Sequence, residues 1–255
     1  MQVARVAVVT GASSGIGAAT ARLLAANGWR CVLLARTEEP LRVLAEEIGG
    51  EAEVCDVSDR AAVDEVAARV RERHPRISLL VNNAGGPARN DFLGGDPERI
   101  DQVTRTNYLG SVWCLRAFLP ALEAAAPSHV VNVVSVAGTV SLGSSGPYAA
   151  SKHAQLAFSR STSVQLRARG ISVHTVNPGF VETPGFPQRT VLANPLLRRA
   201  VIEPEAVAKH IAGVLERGPS ETVVPRWYRI AGIVQALAPN FLARALARGA
   251  PRTSA

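Results

Sequence analysis

The sequence predicts an α/β fold in which a parallel sheet carries helices on both faces. Short apolar runs rich in Val, Ile and Leu alternate with helical segments along the first 225 residues. A glycine-rich turn joins the first apolar run to the first helical one. Polar or glycine-containing motifs follow the later runs, at the carboxyl ends of strands where ligands of parallel sheets bind. Together these observations predict one doubly wound domain spanning residues 1–255.

The composition is that of a soluble globular protein, with 47% hydrophobic and 19% charged residues. No apolar run reaches the length of a membrane span. The N-terminus lacks a signal-peptide pattern, so we expect a cytoplasmic protein. The three cysteines are widely spaced and form no CxxC pair, so buried reduced thiols are expected. The five histidines show no ligand spacing, and we expect no metal site.

The positive charge of the chain is concentrated at its C-terminal end. The formal net charge is +7, but residues 226–255 contain five arginines and no acidic residue. The 23 basic and 21 acidic residues of the preceding chain therefore nearly cancel. This distribution argues against a general nucleic-acid-binding surface and predicts no nucleic-acid partner.

The first strand, turn and helix are predicted to cradle a dinucleotide. Val3–Thr10 reads as a buried strand, and Ala18–Asn27 as a helix that Gly28 ends. Glycines between them let the backbone approach a pyrophosphate, while the helix N-terminus supplies free N–H groups. Their spacing is wider than the G-x-G-x-x-G fingerprint, and a plain tight turn is the alternative. The residues expected to contact a cofactor here are Gly11, Ser13, Ser14, Gly15, Ile16 and Gly17.

The end of the second strand indicates which dinucleotide binds. An acidic residue at this position holds the ribose 2′-hydroxyl of NAD, whereas an arginine accommodates the 2′-phosphate of NADP. Here Arg30–Ala35 is followed by Arg36 and Thr37, and the first acidic residues after Arg36 come at 38 and 39, where they favour the start of a helix. The sequence thus favours NADP(H), with Arg36 on the phosphate and hydroxyl contacts from Ser13 or Thr37. The alternatives are NAD(H) and a solvated arginine.

The remaining segments continue the alternation of strand and helix. Helices are predicted at 41–48, 59–73, within 97–125 (two helices), at 204–216 and in two stretches of 227–248, and strands at 51–55, 77–81, 130–134, 171–176 and 221–224. Residues 180–200, which contain three prolines, suit a mobile substrate loop.

Tyr148 and Lys152 stand four residues apart at the start of a predicted helix, on one face of it. The chain has 28 basic residues but only two lysines, so a lysine beside a tyrosine is notable. A nearby ammonium favours the phenolate and is expected to lower the pKa of the tyrosine, which would suit it to proton transfer. Taken alone, the pair is also compatible with a chance solvated contact.

The motifs together resemble those of the short-chain dehydrogenase/reductase family, in its compact single-domain branch. They are Thr10-Gly11-xxx-Gly15-Ile16-Gly17, Asn82-Asn83-Ala84-Gly85, Asn107, Ser135, Tyr148-xxx-Lys152 and Pro178-Gly179, in one order over about residues 3–225. The resemblance implies a Rossmann-like fold of about seven parallel strands. It also implies hydride transfer between a nicotinamide cofactor and a carbonyl or secondary alcohol.

The resemblance assigns roles to individual residues. The implied catalytic residues are Asn107, Ser135, Tyr148 and Lys152, with Tyr148 as general acid or base and Asn107 holding a water. The family pattern implies that Gly11, Gly15 and Gly17 line the pyrophosphate, and that Asp56 lies near the adenine. Further cofactor contacts are implied for Val57, Asn83, Ala84, Gly85, Tyr148, Lys152, Pro178, Gly179, Val181 and Thr183. Structural roles remain the alternatives for Asn107 and Ser135.

The C-terminal segment carries an apolar stripe at helical spacing, formed by Ile230, Ile233, Val234 and Leu237. We interpret residues 226–255 as a subunit interface or a lid on the substrate pocket. A contact with a membrane surface or an acidic partner is the alternative. An apolar tail beside the pocket suits a lipophilic substrate, and we expect a homodimer or homotetramer. A non-catalytic dinucleotide-binding sensor or assembly module is the alternative function.

Overall fold

The computed structural model describes residues 5–87, 91–141, 145–185, 187–188, 192–193, 198–218 and 220–249. Of residues 217 and 246–249 it describes the backbone alone. Parts of the expected mobile loop at 180–200 and the last six residues of the C-terminal extension therefore lie outside the described residues.

Seven parallel strands form one sheet in the order β3-β2-β1-β4-β5-β6-β7. The order reverses between β1 and β4, and this switch point is where ligands of doubly wound sheets bind. The parallel sheet confirms the predicted fold class. The strands are β1 Val6–Thr10, β2 Arg30–Ala35, β3 Glu51–Val54, β4 Leu79–Asn82, β5 Ser128–Val133, β6 Ile171–Pro178 and β7 Glu221–Val224.

Helices connect the strands and extend the chain beyond the last one. Short helical turns lie at Arg105–Leu109 (a π-turn), Val136–Gly138, Arg198–Ala200 and Arg226–Tyr228. The α-helices are α1 Gly15–Ala26, α2 Glu38–Ile48, α3 Arg60–Arg73, α4 Pro97–Thr104, α5 Gly110–Ala124, α6 Gly146–Arg167, α7 Pro204–Arg217, α8 Arg229–Leu237 and α9 Pro239–Gly249.

Two helices begin earlier than the sequence pattern predicts. α1 begins at Gly15 rather than Ala18, because the last glycines of the turn form the first helical turn. α2 begins at Glu38 rather than Leu41, and its two leading glutamates favour the positive end of the helix dipole. The predicted stop at Gly28 is confirmed, and Gly49 ends α2 in the same way, because both glycines adopt positive φ after their helices.

The core lies on both faces of the sheet, because adjacent residues of a buried strand point to opposite sides. One apolar cluster joins alternate strand residues to α3, α5 and α6, and the other joins the intervening ones to α1, α2 and α7. Val8 and Val9 of the central strand illustrate this, as each is fully buried in a different cluster. With both faces covered, the ends of the strands are left for ligands.

The three cysteines are buried free thiols, as predicted. Burial raises the pKa of Cys31 and of Cys55 to about 11, so neither side chain is a thiolate at neutral pH. No helix among the described ranges is long and apolar enough to cross a membrane.

Candidate active site

A cavity of about 1080 Å³ opens at the carboxyl ends of β1, β2, β4, β5 and β6. It brings together the motifs that the sequence places after separate strands. Of the predicted site residues, Gly17 alone does not line it. The lining residues among them are Gly11, Ser13, Ser14, Gly15, Ile16, Arg36, Asp56, Val57, Asn83, Ala84, Gly85, Asn107, Ser135, Tyr148, Lys152, Pro178, Gly179, Val181 and Thr183.

The glycine turn before α1 needs glycine for two different reasons. Gly11 and Gly15 adopt φ of 64° and 56°, a region that other residues rarely occupy. Gly17 is a packing position, because a Cβ there would lie 2.3 Å from the Gly11 carbonyl oxygen. Ser14 precedes the helix without capping it through its side chain, and the first turn holds no acidic residue. The turn therefore offers backbone N–H groups and a positive helix end to an anion.

Thr10 joins this turn to the motif after β4. Its buried hydroxyl accepts hydrogen bonds from the backbone N–H groups of Asn83 and Ala84, both at 3.0 Å, and donates to the Val81 carbonyl. The side-chain amide of Asn83 in turn donates hydrogen bonds to the backbone carbonyls of Thr10 and Gly11. The sequence analysis predicted a cofactor contact for Asn83 but no role for Thr10. A threonine as the last residue of a central strand is the signal that could have found it.

The cavity beside the end of β2 is lined by the guanidinium of Arg36 and by the carboxylate of Asp56. Arg36 lies 3.9 Å from the Asp56 carboxylate, a loose contact between two partly exposed side chains. Asp56 also accepts hydrogen bonds from the backbone and hydroxyl of Ser58. Glu38 pairs instead with Arg42 at 2.7 Å, so the first carboxylate after β2 is already engaged.

Ser135, Tyr148 and Lys152 form one cluster where β5 ends and α6 begins. Ser135 and Tyr148 share a hydrogen bond, and the Ser135 hydroxyl also accepts one from the Ala137 backbone at 3.1 Å. Lys152 is 4% exposed, and its Nζ lies 6.0 Å from the centre of the Tyr148 ring. The two helix neighbours therefore lie close together, with the Lys152 nitrogen over the Tyr148 ring.

Burial controls the titration of both groups in the chain alone. It raises the pKa of Tyr148, while the hydrogen bond from Ser135 lowers it by less. Burial lowers the pKa of Lys152 to about 7. The expected net decrease in the tyrosine pKa is thus wrong for the unliganded chain, because removal from water disfavours both charged forms. An additional charge in the cavity would be required to reverse it.

Asn107 lies in the π-turn between α4 and α5 and is fully buried. Its side chain exchanges two hydrogen bonds with the backbone of Gly86, at 2.9 and 3.1 Å. It also donates to the Ser151 hydroxyl at 3.0 Å. These contacts fix the loop after β4 against α6 and agree with the structural alternative for Asn107. They leave the water-holding role implied by the family pattern untested.

Two further residues of α6 support the cluster, and the sequence analysis missed both. Gln155 accepts a hydrogen bond from Lys152 Nζ at 2.8 Å and donates to the buried Ser111 hydroxyl. Ser151 donates to the Tyr148 carbonyl. The available signal was helical spacing, since each lies three residues after a predicted catalytic residue.

The segment after β6 forms the opposite wall of the cavity. Val181 pairs with Ile202 in a short parallel bridge, so this wall is tied to the segment before α7. Gly179 packs against Tyr228, and a Cβ at Gly179 would lie 2.3 Å from the tyrosine ring. Thr183 meets the glycine turn, where a Cβ on Gly15 would lie 2.9 Å from its methyl group. The cofactor contacts predicted after β6 and the predicted glycine-rich cradle therefore face each other.

The comparisons with known proteins agree with this arrangement. The family model described as short chain dehydrogenase matches residues 5–190. A Streptomyces virginiae protein named as a ketoacyl reductase of the monensin polyketide synthase is 42% identical over 188 residues, covering 71% of this chain and 72% of that protein.

Two solved structures extend the similarity over most of the chain. An actinorhodin polyketide ketoreductase variant with NADPH is 30% identical, with a TM-score of 0.78 over 88% of this chain and 96% of that one. A Burkholderia phymatum short chain dehydrogenase/reductase in complex with NAD is 26% identical, with a TM-score of 0.82 over 94% of this chain and 95% of that one. The chain therefore belongs to the short-chain dehydrogenase family, and it is an oxidoreductase that acts on carbonyl or hydroxyl groups.

Proposed function

We propose that this protein is an NADP(H)-dependent reductase or dehydrogenase of lipophilic ketones or secondary alcohols. The observation that carries the proposal is the cluster of Ser135, Tyr148 and Lys152, which lies in the same cavity as the glycine turn and Arg36. A proton-transfer group, a phosphate cradle and a cationic side chain are the parts that such a reaction requires.

The glycine turn fits a dinucleotide pyrophosphate. Gly11 and Gly15 line the cavity without side chains, and the N-terminus of α1 directs its dipole and N–H groups to the same place. Lys152 fits the ribose of the cofactor. Two of its three N–H donors bond to the Val133 carbonyl and to Gln155, and the third can donate to a ribose hydroxyl. A bound nicotinamide supplies or accepts the hydride.

Arg36 supports a preference for NADP(H) over NAD(H). Its guanidinium is held only loosely by Asp56 and lines the cavity where a 2′-phosphate would lie. The position after β2 that holds an acidic residue in NAD-binding folds is here Arg36 itself, and Thr37 adds a hydroxyl. The ketoreductase relative solved with NADPH supports the same preference.

We assign proton transfer to Tyr148 and orientation of the substrate oxygen to Ser135. In reduction, the Tyr148 hydroxyl gives its proton to the carbonyl oxygen as the carbon receives the hydride. The phenol is protonated near neutral pH and can donate, although its raised pKa makes it a weaker acid in the chain alone than a tyrosine in water. The Ser135 hydroxyl, held by the Ala137 backbone, can stabilise the charge that develops on the substrate oxygen.

Lys152 is proposed to act through its charge. With a pKa of about 7 in the chain alone, it is only partly protonated at neutral pH. A polyanionic dinucleotide in the cavity would favour the ammonium and raise this pKa, and the ammonium would in turn favour a Tyr148 phenolate. Alcohol oxidation, which needs that phenolate, should therefore gain from a rise in pH more than ketone reduction does.

The walls near the cluster support a lipophilic substrate. Val136, Val140 and Phe180 line the same cavity as Ser135 and Tyr148. The relative named as a ketoacyl reductase of a polyketide synthase supports a ketone on an apolar chain. Apolar side chains around a few polar groups are typical of sites that bind such molecules.

A panel of ketones assayed with NADPH and with NADH tests this proposal. We expect turnover of β-ketoacyl and other long-chain ketones, with NADPH preferred by at least tenfold in kcat/KM. If Arg36→Ala loses the preference for NADPH over NADH because its KM for NADPH rises, the assignment of the 2′-phosphate site is supported. A preference for NADH in the wild-type protein would refute the cofactor assignment. Dinucleotide binding without turnover of any compound would refute the catalytic one.

We also propose a homodimer or homotetramer acting in the cytoplasm. The buried free thiols suit a reducing compartment, and the family resemblance supports association of the subunits. Light scattering after size-exclusion chromatography measures the assembly directly, and a monomer at micromolar concentration would refute the first part. Cell fractionation tests the second part, which recovery of the protein outside the cytoplasm would refute.

A further inference from the structure

The helices after β7 expose an apolar face that the proposed reaction does not use. It consists of large side chains that are 51% to 81% exposed, although residues of their type are usually buried. Within α8 they recur at the spacing of one helix face, and α9 adds one more exposed aromatic side chain. We call this set the exposed stripe, and its members are Trp227, Ile230, Ile233, Leu237 and Phe241.

The charged residues of the segment that carries the exposed stripe have one sign. The stripe lies within residues 226–255, which contain five arginines and no acidic residue. The side chains of Arg226, Arg229 and Arg244 are exposed. Arg226 and Arg229 alternate with Trp227 and Ile230 along the chain, so apolar groups and cations share this surface. A matching partner must be both apolar and anionic.

A second copy of the chain fits this surface poorly. An isologous interface places the same patch of both subunits face to face. The arginines of both copies would meet there, and the segment contains no carboxylate to pair with them. Like charges at an interface disfavour association.

We propose that the exposed stripe docks the protein onto the surface of an anionic lipid bilayer. Trp, Ile, Leu and Phe side chains enter the boundary between headgroups and acyl chains, and arginines bind lipid phosphates. Docking of this kind needs no spanning helix, because amphipathic helices lie in the plane of the interface.

The same segment packs on the walls of the active-site cavity. Tyr228, beside Trp227 at the start of the stripe, contacts Gly179 and meets Phe180 edge to face at 6.0 Å between ring centres. In α8, a Cβ on Gly232 would lie 2.9 Å from the Thr139 hydroxyl, directly after the turn that lines the cavity. Docking would therefore hold the cavity close to the bilayer surface, where a lipophilic ketone is concentrated. This last consequence rests on the proposed function, whereas docking itself does not.

Co-sedimentation of the full-length protein with lipid vesicles tests the proposal without turnover. We expect the protein to pellet with vesicles of equal parts phosphatidylglycerol and phosphatidylcholine, and to remain in solution with phosphatidylcholine alone. Binding should weaken as salt is added, because the lipid charge is screened. Failure to pellet with the anionic vesicles at low salt would overturn the proposal.

A charge variant and its control locate the contact. Replacing the three arginines of the segment whose side chains are described (Arg226→Gln, Arg229→Gln, Arg244→Gln) should lower the partition coefficient on the order of 100-fold, since each cation contributes about 1 kcal/mol near an anionic surface. The control removes the same charge from three exposed arginines elsewhere: Arg76→Gln, Arg116→Gln and Arg167→Gln. Equal losses in the two variants would attribute binding to net charge and overturn the assigned site.

An apolar variant separates the bilayer from other occupants. Ile233→Ser, Leu237→Ser and Phe241→Ser together should lower vesicle binding by about 100-fold or more while circular dichroism and oligomeric state stay unchanged. The control replaces three exposed apolar residues on other surfaces: Val43→Ser, Leu93→Ser and Val164→Ser.

If the stripe variant dissociates an oligomer instead, the occupant is a second copy and the proposal fails. A protein that pellets but lacks ketone turnover would refute the proposed function and leave the docking intact.

Discussion

The buried Lys152 ammonium should make the stability of the cofactor-free protein depend on pH. Its pKa falls from 10.5 to about 7 on folding because the side chain is almost wholly buried. Between these two values the unfolded chain binds more protons than the folded one, so stability must rise with pH. The destabilisation is complete below about pH 7, where it amounts to about 5 kcal/mol at about 1.4 kcal/mol per pKa unit. It disappears above the unfolded pKa.

Lys152→Met removes this titration with little change in shape. The variant loses the hydrogen bonds to Val133 and Gln155, at a cost of about 1–3 kcal/mol for each buried group left unpaired. That cost does not depend on pH. The difference between the free energies of unfolding of the wild type and of Lys152→Met should therefore change in favour of the wild type as the pH rises. The expected slope is about 1.4 kcal/mol per pH unit between about pH 7.5 and about pH 9.5.

Urea denaturation at a series of pH values, without cofactor, measures this difference. The matched control is Lys209→Met, since Lys209 is exposed and is the other lysine of the chain. Its difference from the wild type should stay flat over the same range. A flat difference for Lys152→Met as well would mean that Lys152 titrates normally, and the account of the site as desolvated would be refuted.

Three further substitutions test separate parts of the structure. Arg36→Ala should raise KM for NADPH by about 10-fold to 100-fold and leave KM for NADH unchanged in steady-state assays, because a charged hydrogen bond contributes about 1.5–3 kcal/mol. Gly179→Ala should cost about 1–3 kcal/mol of stability by thermal denaturation, since its Cβ would strike Tyr228. Gly185→Ala, which meets no atom within 4 Å, should cost far less. Thr10→Val should cost about 1–3 kcal/mol in urea, because it removes the hydrogen bonds that the Thr10 hydroxyl accepts from the part-buried N–H groups of Asn83 and Ala84.

Local sequence signals predicted the fold because each acts over a few residues. The apolar run at Arg30–Ala35 and the short one at Glu221–Val224 form strands with the predicted bounds. The carboxyl ends of parallel strands lie on one edge, so the motifs after them could be expected to meet in one cavity. Because the predicted site residues follow the ends of these strands, nearly all of them line the cavity.

Features that depend on distant contacts or on burial were not predicted. Nothing near Gly179 in the sequence indicates that Tyr228 will pack on it, because the two meet only when the chain returns after β7. The predicted direction of the Tyr148 pKa shift was wrong, because the sequence shows the charge of Lys152 but not how far burial removes both side chains from water. The role of Thr10 was missed because its two bonds cross from one strand to the next.

Tyr148→Phe tests the central claim most directly, since it removes the proton donor and leaves the ring in place. The measurement is kcat for ketone reduction by NADPH, together with the dissociation constant of NADPH from fluorescence titration. General acid catalysis by a positioned side chain contributes about 100-fold to 10,000-fold. We predict a loss of kcat in that range with NADPH affinity changed by less than about threefold, because the hydroxyl and not the ring transfers the proton. Wild-type kcat in Tyr148→Phe would contradict the account.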